Sequence, residues 1–420
     1  MTGKLEKTKL TIGFMLLTDC ILIAIAQERG FFAKQGLDVT LSREPSWASL
    51  RDKMAFGALD GAHMLAPMLF AATVGLGTRP IPMVTGFSMG LNGNAITISK
   101  GLHAELSEID PNYAARRPVL AQAFRGVIAA RKRAGKPLVT FATVFPFSLH
   151  NYELRYWLAD AGIHPDRDVR IIAVPPPQMA DALAAGTIDS FCSGGPWNLA
   201  AVARDIGEVA ITGYELWNNA PEKVFGVSEA WARENPNTHI AVLRALMDAS
   251  QWIDSHYQEA AAIVASSSYL DVDTAIVEPT LRGKWRYRAG EEQIDLPNYH
   301  VFNRHAANFP WTSHGIWILT QMCRWGELPM DTDVEALARA VYRPDIYRQA
   351  ATAFGIAVPS TDFKREGIHD GPWTLDGITL GADRFFDGRI FDPSRPLDYL
   401  EGFAIHNMQT AKRALSVAAT

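Results

Sequence analysis

The 420-residue chain has little cysteine: Cys20, Cys192 and Cys323 are an odd number with no paired spacing. That argues against a disulfide framework and leaves no CxxC pattern for a metal site, so a reducing compartment fits. Long apolar runs are missing too, since none reaches the roughly 18 residues of a membrane span. Positive charge is in deficit, with a formal net charge of -5. A broad nucleic-acid-binding face needs clustered Lys and Arg to neutralise phosphate, and this chain does not supply one. The one basic cluster, Arg131, Lys132, Arg133 and Lys136, is short and reads as a solvated helix end. No internal repeat or low-complexity segment is present.

What is there is ordinary globular material: 48% hydrophobic and 20% charged residues, enough length for about two to three domains. The first apolar run, Leu10 to Ala26, has Lys4, Lys7 and Lys9 ahead of it and Ala24-Ile25-Ala26 at its end, the marks of an export leader. Thr18-Asp19 breaks that run with a charge, and Asp19 spoils Leu17 to Cys20 as a lipoprotein box. Leu10, Ile12 and Phe14 instead alternate on one face of a strand, and Thr18 to Arg29 reads as a helix capped by Thr18 and ended by Gly30. Cleavage after Ala26 would delete that strand and most of the helix. The expectation is retention of the segment and a cytoplasmic protein.

Strand and helix patterns then alternate: strands near 8 to 14, 37 to 42 and 60 to 65, helices near 18 to 29 and 47 to 56, and another opened by Pro67. The rhythm restarts with strands at 137 to 146, 169 to 176 and 187 to 195, separated by helices. Such alternation predicts an α/β fold with parallel strands, crossover helices and two units facing a cleft. From Pro236 the pattern changes to long helices, and the last sixty residues read as an irregular tail. The predicted division is a first lobe over 1–99, a second lobe over 100–220, and completion of the first lobe with the helical extension and tail over 221–420.

Five segments sit at predicted strand ends or helix starts, where open α/β sheets bind ligands and where free N–H groups meet anions: SWASLRD at 46 to 52, LNGNAITIS at 91 to 99, His150, SGGPWN at 193 to 198, and PEKVFGV at 221 to 227. With TDCILIAIAQERGFFAKQGL, DGAHMLAPM, VPPPQM, SHGIWILTQMCRWG and FFDGRIFDP, these runs make the chain resemble the nitrate-binding family of soluble binding proteins. That family includes nitrate and bicarbonate transport receptors and the leaderless cytoplasmic sensors of the NasS type. The resemblance covers nearly the whole chain. It implies a two-lobed periplasmic-binding-protein-like fold of type II that closes on a small planar anion, nitrate or nitrite. It also implies, for a NasS-type sensor, a NasT-type RNA-binding antiterminator as partner, with no cofactor and no catalysis.

Carried over position by position, the family's ligand site falls on Trp47, Asn94, His150, Gly194 and Lys223. Lys223 would supply the fixed charge, His150 and Asn94 hydrogen bonds, Gly194 close backbone approach, and Trp47 a flat wall or its indole N–H. Each also has an ordinary structural reading, as core aromatic, solvated lysine, helix-start histidine or turn glycine. The family's nitrate receptors carry Gln where this chain has Asn94, and tend to carry Glu where it has Gly195. His63 and His314 are expected to be buried, hydrogen-bonded structure. Two other functions compete: a transport receptor, which requires export, and an enzyme using Cys20 as a low-pKa thiol with His63 as base.

Overall fold

The computed structural model describes residues 3–408, so the final twelve residues of the predicted tail lie outside it. Eleven strands carry the two sheets and the link between them: β1 (Lys9–Phe14), β2 (Asp38–Arg43), β3 (Gly61–Leu65), β4 (Met83–Ser88), β5 (Leu91–Asn92), β6 (Asn94–Ser99), β7 (Thr140–Thr143), β8 (Arg170–Ala173), β9 (Ser190–Gly194), β10 (Gly207–Thr212) and β11 (Lys223–Ser228). One five-stranded sheet runs in the order β2-β1-β3-β11-β4 and the other in the order β10-β6-β9-β7-β8. The alternation in β1 buries Leu10, Ile12 and Phe14 as expected. Thr18 opens a short 3-10 turn without capping through its side chain, and the helix proper is Ile21–Glu28, with Ile21 to Ala26 all buried. The leader-like run is therefore a sheet strand and a core helix of the first lobe.

The expected parallel strands are present, but both sheets are mixed. β1 is parallel to β2 and β3, and β7 to β8 and β9, as crossover helices demand. β6 and β11 break the rule: β6 is antiparallel to β9 and β10, and β11 to β3 and β4. Both strands directly follow a change of sheet, and a chain entering from the other lobe arrives at the cleft end of its new sheet. It then runs opposite to strands that lead toward the cleft.

The first change of sheet spans 89–93, so β6 hydrogen-bonds in the second sheet and the first lobe's opening section ends before the predicted 99. The second spans 213–222. The two crossings are tied together: Asn92 N–H donates to the Ala220 carbonyl at 2.9 Å, and Ala220 N–H donates to Asn92 Oδ1 at 3.0 Å. Asn92 sits at φ 59, and asparagine tolerates this left-handed conformation better than most residues.

Helices Pro236–Ser255 and Tyr257–Ala265 pack against Ile21–Glu28. Helix Thr312–Arg324 is wholly buried and touches helices of both lobes, Ala66–Val74 and Leu149–Asp160. The tail reaches the second lobe as well as the first: Tyr156 Oη donates to Asp387 Oδ2 at 2.7 Å, and Phe385 stacks on Trp217 at 4.6 Å. In the basic cluster, Lys132, Arg133 and Lys136 are exposed, whereas Arg131 is drawn down onto Glu105 and Asp189 at 2.8 Å. Among the described residues no helix is long and apolar enough to cross a membrane.

Candidate functional site

Each of the five positions lies at the cleft end of an element. Trp47 is the first residue of helix Trp47–Ala55, whose N-cap Ser46 Oγ accepts from Ser49 N–H at 3.1 Å. His150 is the second residue of helix Leu149–Asp160, capped in the same way by Ser148 onto Asn151 at 3.1 Å. Asn94 opens β6, Gly194 closes β9, and the two are register partners. Lys223 opens β11.

The fold brings all five together. Lys223 Nζ lies 5.9 Å from the centroid of the Trp47 ring. A Cβ at Gly194 would come within 3.7 Å of both His150 Nε2 and Asp19 Oδ2, so glycine here lets the strand end approach both groups. Trp47, Asn94, His150 and Lys223 are no more than 1% exposed, which describes a closed cleft. Bonds across the lobes hold it: Trp197 Nε1–H donates to the Leu16 carbonyl at 2.9 Å, and Thr18 N–H to the Gly195 carbonyl at 2.8 Å.

Three acidic residues that the sequence did not single out for the site complete it. Lys223 Nζ donates to Asp19 Oδ2 at 2.8 Å and to Glu222 Oε2. Asn94 Nδ2 donates to Glu153 Oε2 at 2.7 Å, while its Oδ1 faces Gly213, where a Cβ would collide at 1.7 Å. Glu222 Oε1 lies 3.5 Å from His150 Nδ1. His63 belongs to this assembly too. Its Nε2 is 2.8 Å from Asp19 Oδ1 but off the line of a good hydrogen bond, and its Nδ1 accepts from Met15 N–H at 3.5 Å. His314 is buried elsewhere, and its Nε2 has no hydrogen-bond partner among the described residues, with Glu366 Oε1 at 3.5 Å.

Burial and charge set the protonation states. Burial pushes Asp19 up, but Lys223 and then His63 outweigh it and hold the carboxyl well below its usual range. Burial pulls Lys223 down, and its two carboxylate partners more than restore it, so it stays charged. Burial, helped by the Lys223 charge, holds His150 far below the ordinary imidazole value, leaving it neutral with one donor and one acceptor. Glu153 is pushed well above the carboxylate range by burial and by Glu222.

Several buried polar atoms in this cluster have no hydrogen-bond partner among the described residues: Trp47 Nε1, both His150 ring nitrogens, Thr18 Oγ1, Glu153 Oε1 and Glu222 Oε1. Such atoms are costly to bury unpaired, and their convergence around one ammonium suits a small polar solute. Cys20 does not fit a nucleophile's role. It is fully buried, and burial together with Asp19 raises its thiol far above the ordinary value, against the lowered pKa expected of a helix-start cysteine.

The chain matches the NMT1-like family model over residues 3–267. The nitrate/nitrite binding protein NrtA of Nostoc is 34% identical over 412 residues, covering 96% of this chain and 87% of that one. The nitrate import ATP-binding protein NrtC of Synechocystis is 37% identical over 406 residues, but this chain spans only 56% of it. The crystal structure of the periplasmic nitrate-binding protein NrtA from Synechocystis PCC 6803 aligns with a TM-score of 0.84 at 31% identity, over 96% of this chain and 100% of that one. A fold-level neighbour at 12% identity, the ligand-binding component of an ABC-type import system from Staphylococcus aureus, gives 0.63. The chain therefore belongs to the NMT1-like family and has the two-lobed α/β fold of the NrtA solute-binding proteins.

Proposed function

We propose that this protein is a non-catalytic nitrate and nitrite sensor of the NasS type, acting in the cytoplasm on a NasT-type RNA-binding antiterminator. The observation that carries the anion reading is the buried Lys223 ammonium near donors with no partner among the described residues, Trp47 Nε1 and His150. The relatives named for nitrate or nitrite support the ligand class. Leu10 to Ala26 fold as β1 and a core helix, which supports keeping that segment in the folded protein.

In this reading the ligand-free protein holds the antiterminator and the anion-closed form releases it. Linkage then requires each ligand to lower the other's affinity by the same factor. Calorimetric titration with nitrate, nitrite and bicarbonate, repeated with the antiterminator present, tests both halves. Nitrate or nitrite binding that weakens partner affinity supports the sensor, and nitrate binding that leaves partner affinity unchanged refutes it. The second reading is the substrate-binding component of a nitrate/nitrite ABC transporter, favoured by the relation to NrtA and to the NrtC transport ATPase. A mature periplasmic form starting near Gln27 would establish that reading instead.

A further inference from the structure

The closed site sets one ammonium against three carboxyl groups. Asp19, Glu153 and Glu222 are 4%, 3% and 3% exposed, and Lys223 is the cation that touches two of them. Fully ionised, these four side chains would carry two net negative charges before any ligand arrived. A bound monovalent anion would make three, in a place where water cannot solvate them. Nitrate brings no proton of its own, so the balancing proton has to come from solvent and rest on the protein.

The geometry shows where. Glu222 Oε2 is taken by Lys223, while Oε1 has no hydrogen-bond partner among the described residues and lies 3.5 Å from His150 Nδ1. Glu153 is near enough to feel its charge, with Oε2 held by Asn94 and Oε1 also without a partner among the described residues. We infer that the cleft takes its monovalent oxyanion together with one proton, carried on Glu222 and shared with the ligand, so that Glu222 is a specificity-determining residue. This inference rests on the anion-binding reading above.

Glu222 rather than Glu153 is placed to share a proton with the ligand, because it touches Lys223 and faces His150 whereas Glu153 is tied to Asn94. Burial raises Glu222, Lys223 pulls it back and Asp19 pushes it up again, leaving it at about 7. The groups around it are Asp19 ahead of the first helix, His150 and Glu153 on helix Leu149–Asp160, Cys192 on β9, Lys223 on β11, Tyr299 and Tyr342, with His63 and His300 one step further out around Asp19 and Lys223. Of these, His63, His150 and His300 are lowered and the tyrosines and Cys192 raised, so all stay neutral near pH 7. Asp19 and Lys223 keep their charges, and Glu222 is raised toward neutrality.

The consequence is discrimination by proton content. Below about pH 7 Glu222 arrives protonated and can donate to nitrate or nitrite. Above it, binding these anions requires proton uptake, and affinity falls about tenfold per pH unit. An anion with its own hydroxyl, such as bicarbonate, can instead donate to ionised Glu222, which keeps the shared hydrogen bond above pH 7 without lowering the net charge of the site.

The test is calorimetric titration of the full chain with nitrate from pH 6 to 8.5, at each pH in two buffers of different ionisation enthalpy. The expected result is a dissociation constant that is flat below pH 7 and rises about tenfold from pH 7.5 to 8.5, with close to one proton taken up per nitrate at pH 8.5. In Glu222→Gln both the slope and the proton uptake disappear. Where that variant does not fold, the wild-type proton count decides alone. Nitrate binding with no pH slope and no proton uptake overturns the inference while leaving the anion site standing. No binding of nitrate, nitrite or bicarbonate at any pH removes the anion site itself, and the proton linkage falls with it.

Discussion

Replacing Lys223 by methionine keeps most of the side-chain volume and deletes the charge, which leaves Asp19 buried without its ammonium partner. Removing one partner of a buried ion pair destabilises by about 3–5 kcal/mol, because the remaining charge can neither hydrate nor pair. Unfolding entropy of about 2.1 cal/mol/K per residue gives roughly 0.9 kcal/mol/K for a chain of this length, so the melting temperature should fall by about 3–6 °C in a single cooperative transition. Scanning calorimetry of ligand-free protein at pH 7.5 measures it. Adding Asp19→Asn to Lys223→Met should restore most of the loss, since an uncharged pair of similar shape has no desolvated charge to compensate. A Lys223→Met melting temperature within 1 °C of wild type, or a double variant less stable than the single one, would refute the buried Lys223–Asp19 pair. The cycle also sharpens any ligand experiment. Loss of nitrate binding in the single variant mixes anion contact with a collapsed site, whereas a folded double variant that binds no nitrate isolates the role of the ammonium.

Three further outcomes are expected. His239 is buried in helix Pro236–Ser255, and burial and then Arg343 lower it to about 4 from an unfolded value of 6.5. The unfolded chain therefore gains the proton first, and the stability of wild type relative to His239→Phe should drop by about 1.4 kcal/mol per pH unit from pH 6.5 toward 5, read from urea midpoints. Cys20 should resist iodoacetamide at neutral pH in the native protein and react only as fast as the chain globally unfolds; prompt alkylation without loss of structure would reopen the enzyme reading. Gly213→Ala drives a Cβ into Asn94 Oδ1, and should cost about 1–3 kcal/mol of stability and weaken nitrate binding by moving Asn94 off Glu153.

The residues that mark strand ends and helix starts were readable because their signals are local. Ser46 and Ser148 cap helices one and two residues ahead of Trp47 and His150, and Pro67 opens its helix where it should. The five site positions came from the family pattern and do converge in the fold. The acidic half of the site was harder to see, because its meaning depends on pairing across distance. Asp19 and Lys223 are separated by 204 residues, and Asn94 and Glu153 by 59. One local clue did exist: a carboxylate inside the apolar run Leu10 to Ala26 has to find a buried cation or leave the core. It served only to argue against a leader. The reversal of β6 and β11 had no local signal, since strand direction follows from where the chain re-enters each sheet.

β11 lies between β3 and β4, so the fourth strand of the first sheet has no strand neighbour until residue 228 is in place. During synthesis the first lobe must therefore wait, unfinished, while the whole of the second is made. Its completing strand begins with the ammonium itself. The last step in closing that sheet is thus the step that delivers Lys223 to Asp19, and a ribosome-bound chain that stops short of β11 would have neither a complete first sheet nor the cation for a ligand. Pairing over such sequence distances is slow by topology alone.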